Sequence, residues 1–118
     1  MPNSNYNRGR AFEYARKHYW ESLGYVCLRT AGSRGFFDLI VLRGRTVILI
    51  QCKVCKTQAE ALRLIKAFKV KPPLGTGQGY PAQCMEVWVK DTRILETGWA
   101  DTTPSIARDI SGNPMDSD

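Results

Sequence analysis

The spacing of apolar side chains predicts two helices and four to five strands. Over residues 8–23 and 57–70 the apolar positions recur at the period of a helix, and Thr57 is a suitable N-cap for the second helix. The positions expected to be buried on the helices are Phe12, Ala15, Tyr19 and Leu23, then Ala61, Leu62, Ile65 and Phe68. Alternation or β-branched content predicts strands at residues 25–30, 37–43, 46–54, 84–90 and 93–100. This order predicts an α/β fold with a central mixed sheet of four to five strands flanked by helices.

The strands at 37–43 and 46–54 form the centre of the predicted fold. A tight turn at Gly44 joins them, so they should pair as an antiparallel hairpin. Residues 47–50 are apolar at every position, which predicts a strand in the middle of a sheet covered on both sides. Asp38 begins the first strand, while Gln51 and Lys53 end the second on one face. The hairpin therefore brings a carboxylate, an amide oxygen and an ammonium to one end.

These three groups suit the hydrolysis of a phosphodiester. A carboxylate and a second oxygen ligand can hold a hard divalent cation such as Mg²⁺. A bound cation polarises a phosphate and lowers the pKa of its water, and a nearby lysine can orient that water or stabilise negative charge. The sequence thus places candidate metal ligands and a candidate catalytic lysine within one hairpin.

The distribution of charge favours a nucleic-acid partner. The net charge of the chain is +6. Residues 101–118 hold four aspartates against Arg108, a net charge of −3, so the first hundred residues carry +9. A basic domain with an acidic tail is typical of nucleic-acid binders. We therefore expect one domain over residues 1–100 and a flexible acidic tail over 101–118, with a loose arm at residues 1–7 and a mobile Pro/Gly-rich loop at 71–82.

Several other classes of protein are disfavoured. No apolar run approaches the roughly 20 residues of a membrane helix, and the first residues lack the apolar core of a signal peptide. We expect a cytoplasmic protein, cellular or virus-encoded and associated with the nucleoid, and no membrane partner. Cys52 and Cys55 have the spacing of zinc ligands, but Cys27 and Cys84 lie alone within predicted strands. Structural thiols in the core are favoured over a zinc site.

The hairpin residues resemble a known nuclease group. Asp38 followed by Gln51-Cys52-Lys53 resembles the PD-(D/E)xK nuclease superfamily. Gly32-Ser33, together with Arg8-Gly9 and Glu13, narrows the resemblance to the archaeal-type Holliday junction resolvases, over about residues 7–70. The resemblance implies a restriction-endonuclease-like core and a Mg²⁺-dependent endodeoxyribonuclease of DNA recombination and repair, with Mn²⁺ as an alternative cofactor. Its substrate would be branched DNA in the form of a four-way junction, of which two strands are cut symmetrically. Two symmetric cuts require two active sites and hence a homodimer.

The resemblance also implies roles for individual residues. Asp38 would be the main metal ligand, Gln51 a second ligand through its amide oxygen, and Cys52 a ligand only through its backbone carbonyl. Glu13 would bind the metal directly or through water, or transfer a proton; spacing alone would instead make it part of a surface ion-pair set. Lys53 would position or activate the water, and Ser33 would contact the scissile strand. The residues expected to contact DNA are Arg8, Arg10, Arg29, Arg34, Lys56, Arg63 and Lys66, although spacing alone equally allows solvated surface charges at Arg29, Arg63 and Lys66.

Gln51 departs from the pattern, because most relatives carry a carboxylate there. The missing unit charge removes about a few kcal/mol of attraction for a cation at partly screened distances. Two alternatives therefore stay open. One is another nuclease of the superfamily acting on flaps, mismatches or duplex ends, and the other is a DNA-binding module with a degraded metal site.

Overall fold

The computed structural model describes residues 4–30, 36–75 and 80–100, with side chains from residue 8 onward. It contains two helices and five strands. The helices are α1 (Ser4–Ser22) and α2 (Gln58–Val70). The strands are β1 (Val26–Arg29), β2 (Leu39–Arg43), β3 (Thr46–Cys55), β4 (Ala82–Val89) and β5 (Ile94–Trp99).

The strands form one mixed sheet in the order β1-β2-β3-β4-β5. β1, β2 and β3 are paired antiparallel, β3 and β4 are parallel, and β4 and β5 are antiparallel. The parallel pair is joined through α2, as a crossover connection requires. The predicted α/β fold with a helix-flanked mixed sheet is confirmed, and the ten-residue strand β3 lies at its centre.

The two helices pack on opposite faces of the sheet. Phe12 and Trp20 of α1 lie in one core cluster with Ile48, Ile50 and Cys52 of β3. On the other face α2 buries a narrow stripe against β4 and β5, made of Ala61, Ile65 and Phe68. Because α2 covers the β4–β5 half, that face of β1 and β2 has no helix over it within the described residues. The expectation that the sheet is covered on both sides of the central strand is met on the α1 side, whereas on the other side Val47 and Leu49 of β3 are half-buried.

The sequence misplaced one helix boundary and two buried side chains. α1 begins at Ser4, so the predicted loose arm is wrong over residues 4–7. Ala15 is exposed, and Leu62 is 51% exposed. Both predictions fail for one reason: each helix touches the sheet through a stripe narrower than its apolar face. The predicted cap at Thr57 is confirmed, as its hydroxyl accepts a hydrogen bond from the backbone N–H of Glu60 at 3.1 Å.

All four cysteines are buried and unpaired, as expected for structural thiols. Cys27, Cys52 and Cys84 lie in the α1-side core, whereas Cys55 lies in the α2-side core. Cys52 and Cys55 therefore point to opposite faces of the sheet, an arrangement that does not let them share one zinc ion.

The start of the Pro/Gly-rich loop is held by a buried amide. Gln83 of β4 is fully buried, and its side chain accepts a hydrogen bond from the Leu74 N–H and donates to the carbonyls of Leu74 and Gly75, at 3.0–3.3 Å. Residues 76–79 of this loop and the predicted tail at 101–118 lie outside the described residues. None of the helices described is long and apolar enough to cross a membrane.

Candidate metal and DNA-binding site

Asp38 lies where the β2–β3 ladder ends, and the backbone of three strands fixes its position. Its N–H donates to the carbonyl of Ile50 at 2.8 Å, and its carbonyl accepts from the N–H of Thr30 at 3.0 Å. Its side chain replaces the next backbone acceptor of the ladder, since Oδ2 accepts a hydrogen bond from the N–H of Cys52 at 2.8 Å. The carboxylate is thus held in the plane of the sheet at the point where the two strands separate.

Glu13 reaches the same point from α1. Its Oε1 accepts a hydrogen bond from Nε of Arg29 at 2.9 Å, and both side chains are largely buried. The guanidinium of Arg29 also lies 4.8 Å from the centre of the Tyr14 ring. Burial raises the pKa of Glu13, and the nearby charge of Asp38 raises it further, while Arg29 opposes both effects. Glu13 and Asp38 are therefore two carboxylates within each other's field.

Gln51 and Lys53 follow this pair along β3. Ile50 and Cys52 are buried against α1, so the alternating positions Gln51 and Lys53 belong to the opposite face. The register of β2 and β3 ends at Leu39 and Ile50, so Asp38 and Gln51 are the next residues of the two chain segments. Gln51 is half-buried and Lys53 is exposed. The hairpin thus places Asp38 and Gln51 at the same end of the two strands, and their joint role as metal ligands stays a prediction.

Three of these residues are candidate oxygen donors for a divalent cation. Burial raises the pKa of Glu13 and the neighbouring charge of Asp38 adds to the shift, and a bound cation would relieve the repulsion between the two carboxylates. Glu13, Asp38 and the amide oxygen of Gln51 are all hard oxygen donors of the kind that Mg²⁺ prefers. Within the described residues, no group of three or more His, Cys, Asp or Glu side chains is arranged to hold a metal. The candidate donor set therefore consists of two carboxylates and one neutral amide.

The residues predicted to contact DNA are distributed over several surfaces. Ser33 and Arg34 lie outside the described residues. Arg29 donates to Glu13, and its contact with phosphate stays a prediction. Arg10 is exposed, with its guanidinium 5.8 Å from the centre of the Tyr14 ring, and Arg63 and Lys66 lie on the exposed side of α2. Arg8 and Lys56 line one cleft at the ends of β3 and β4.

One buried ion pair was missed by sequence reasoning. Arg16 of α1 donates from Nε and Nη2 to the two carboxylate oxygens of Glu86 at 2.8 and 3.0 Å. The Glu86 side chain is 2% exposed, in the middle of β4. A lone acid within a buried strand does signal a buried partner, since charged side chains are almost never buried unpaired. Its partner, seventy residues away, leaves no local signal.

The comparisons with known proteins support the fold. No protein-family model matches the sequence, and no curated protein matches it. Among solved structures, the chain is similar to Hjc, a Holliday junction resolvase from the archaeal hyperthermophile Archaeoglobus fulgidus. The match has 17% sequence identity and a TM-score of 0.50, and it covers 78% of this chain and 72% of the resolvase. At this identity the two proteins share the fold.

Proposed function

We propose that this protein is a metal-dependent, structure-selective DNA endonuclease that resolves four-way junctions by paired, symmetric phosphodiester hydrolysis. The observation that carries the proposal is the Glu13–Asp38 carboxylate pair beside Gln51, on a fold shared with an archaeal Holliday junction resolvase. This combination supports nuclease chemistry more directly than the fold does, because a fold by itself does not define a function.

Each residue of the site has a proposed task. Asp38, Glu13 and Gln51 would hold Mg²⁺, or Mn²⁺ in its place, and the bound cation would supply an acidified water and a polarised phosphate. The hydrogen bond from the Cys52 N–H holds Asp38 in its rotamer. Arg29 favours the ionised form of Glu13. The ammonium of Lys53, two residues beyond Gln51, would orient the water and stabilise negative charge on the phosphate.

Cleavage of a four-way junction supplies the direct test. A synthetic junction and a linear duplex of the same arms are incubated with Mg²⁺, Mn²⁺ or EDTA. We expect paired nicks on the junction alone, dependent on metal, and none from Asp38→Asn, which should still bind the junction. Preferential cleavage of a flap or a mismatched duplex would instead identify another nuclease of the same superfamily.

A specific observation favours a second candidate, a junction-binding protein without nuclease activity. The donor set has only two carboxylates among the described residues, and one of them is already paired with Arg29. Tight junction binding that is unaffected by metal, with no cleavage by the wild-type chain, would establish this candidate and eliminate the nuclease.

The second copy required for paired cuts has a suitable surface. The face of β1–β3 opposite α1, termed here the open sheet face, is made of Val26, Leu28, Ile40, Leu42, Val47 and Leu49. Val26, Leu42 and Val47 are in register across the strands, as are Leu28, Ile40 and Leu49. Val26 and Leu28 are 59% and 51% exposed. A contiguous apolar patch of this kind is typical of a protein interface, and Gln51 borders it on β3. We propose that a second copy packs here with two-fold symmetry.

A matched pair of leucines tests this interface. Leu28 on the open sheet face and Leu62 on α2 have the same exposure of 51%. Leu28→Glu should convert a dimer into a monomer and abolish paired cleavage, whereas Leu62→Glu should leave the dimer intact. Molar mass from light scattering decides the outcome. A monomeric wild type, or a dimer that survives Leu28→Glu, would contradict the proposed interface.

A further inference from the structure

A cleft lies between α1 and the carboxyl ends of the parallel strands β3 and β4. It consists of two adjoining cavities of about 340 and 310 Å³ that share Arg8, Val54 and Lys90 as lining residues. The first cavity extends along α1, and the second extends toward the start of α2. None of the residues proposed to bind the metal lines it.

The first cavity has an aromatic wall and open space opposite. Phe12 and Trp88 form the wall, with ring centres 6.1 Å apart. Ala11 and Ala15 of α1 line the same cavity and are exposed, so small side chains leave the cavity unfilled. A planar aromatic ligand gains most from a wall of this kind, because base–aromatic stacking is sequence-tolerant and favourable.

The second cavity is basic. Lys56, Lys90 and Arg8 line it, and Glu60 is its one acidic lining residue. Glu60 is directed to the start of α2, where Oε1 accepts from the backbone N–H of Lys56 at 3.4 Å. Neither lysine ammonium forms a salt bridge with another described residue. The cavity therefore has an excess of positive charge suited to a phosphate.

We propose that this cleft binds one nucleotide of a DNA strand, with an unpaired base against Phe12 and Trp88 and its phosphate at Lys56 and Lys90. The inference rests on the proposed function in taking DNA as the partner. Val54 lies three residues beyond Gln51, about 10 Å along β3. That distance corresponds to about three base steps of a stacked strand. The cleft would thus capture a base extruded near the branch point, and extrusion costs least where base pairing is already disturbed.

Variants that fill the first cavity test whether a base binds there, and they remove no existing contact. Ala15→Leu and Ala11→Leu add bulk opposite the aromatic wall, and Ala67→Leu makes the same change at an exposed position on α2 outside the cleft. Lys90→Ala removes the proposed phosphate contact, and Lys69→Ala is its control on the exposed side of α2. Thermal unfolding of each variant verifies that it is folded.

Fluorescence anisotropy measures binding of a labelled thymidine oligonucleotide and of an abasic strand of equal length. The wild-type chain should bind the base-containing strand about tenfold more tightly, the gain expected from one stacked base. Ala15→Leu should lose this preference and keep abasic binding, and Lys90→Ala should weaken both strands equally. Ala67→Leu should keep the wild-type preference, and Lys69→Ala should keep the wild-type affinity for both strands.

The results separate this inference from the proposed function. If the wild-type chain cleaves junctions but shows no base preference, or if Ala15→Leu keeps that preference, nucleotide binding in the cleft is wrong and the proposed nuclease activity stands. Base-dependent binding lost in Ala15→Leu, by a chain that does not cleave junctions, would support the cleft and refute the nuclease. A parallel titration with deoxyadenosine 5′-monophosphate identifies the source of the ligand. If deoxyadenosine 5′-monophosphate bound as tightly as the DNA strand, the ligand of the cleft would be a free nucleotide and the proposed strand binding would be wrong.

Discussion

At the scale of single residues, the carboxylates of Glu13 and Asp38 are each held by a hydrogen bond from a different part of the chain. Asp38 is fixed by the Cys52 N–H, and Glu13 is fixed by Arg29. The guanidinium of Arg29 partly neutralises the negative charge of the two carboxylates, and Gln51 adds an oxygen but no charge.

Gln51→Glu should strengthen metal binding. A third carboxylate beside Asp38 adds one unit of negative charge, and at partly screened distances this predicts a half-saturating Mg²⁺ concentration at least about tenfold lower. The measurement is junction cleavage, or calorimetric Mg²⁺ binding, as a function of metal concentration. Gln51→Leu, which has a similar size but no oxygen, should weaken binding. Equal Mg²⁺ requirements in all three chains would exclude Gln51 from the ligand set.

Cys27 should make the protein less stable at alkaline pH. Burial raises the pKa of its thiol from the ordinary 9.0 to about 11, and Lys17 opposes the shift. The folded state therefore retains a proton that the unfolded state releases near pH 9, so this stability is complete below pH 9 and is lost as pH rises to about 11. The melting temperature should fall over this window, and less steeply in Cys27→Ala. An unchanged slope in that variant would contradict the assignment.

Sequence alone could place Asp38 and Gln51 at the same end of the sheet, because both belong to a single hairpin. It could not place Glu13 from spacing, because a helix edge next to the apolar stripe equally suits a surface ion pair. Arg16 and Lys17, the local partners that spacing offers, bind Glu86 and Glu21 instead. The partner of Glu13 is Arg29 on a different element, so tertiary packing decides its role.

At the scale of elements, the Arg16–Glu86 pair joins α1 to the middle of the sheet. Glu86→Leu leaves the buried guanidinium unpaired and should cost about 3–5 kcal/mol of unfolding free energy. The double variant Arg16→Met/Glu86→Leu removes both charges and should recover most of that loss. Urea denaturation measures both. Glu21→Ala, which breaks an exposed pair on the same helix, should have little effect. A double variant no more stable than the single one would show that the pair itself is required.

Gly98 marks the closest approach of β5 to α2. A Cβ there would overlap with Cγ2 of Ile65, whereas a Cβ at Gly9 in α1 would meet nothing within 4 Å. Gly98→Ala should therefore cost about 1–3 kcal/mol from overpacking. Gly9→Ala should gain about 0.5–1 kcal/mol, because glycine is unfavourable within a helix. Chemical denaturation of the two variants should give shifts of opposite sign, and equal shifts would contradict the packing.

The five strands could be predicted because each keeps its own β-type pattern and ends at a turn or loop. The boundary of α1 could not, because residues 4–7 have no apolar periodicity and yet continue the helix. The exposure of Leu62 had no local signal either. It depends on where α2 crosses the sheet, and that position is set by contacts with β4 and β5 far along the chain.

At the scale of the whole molecule, positive charge dominates the first hundred residues. DNA binding should therefore weaken steeply with salt, with a slope of log K against log salt of about −0.9 for each phosphate contact. Lys66→Ala removes one predicted contact and should make the slope less steep by about 1. Anisotropy titrations at several salt concentrations provide the measurement. A slope that does not change in Lys66→Ala would place that lysine outside the DNA interface.

The Arg16–Glu86 pair also sets the rotation of α1 about its own axis. Glu13 lies three residues before Arg16, so a turn of the helix moves both side chains together. With a helix radius of about 5–6 Å including side chains, a rotation of about 2° moves the Glu13 carboxylate by about 0.2 Å. That displacement is the whole tolerance of a metal–ligand distance. Among proteins that keep this site, residues 16 and 86 should therefore change together or not at all, although neither one is a proposed metal ligand.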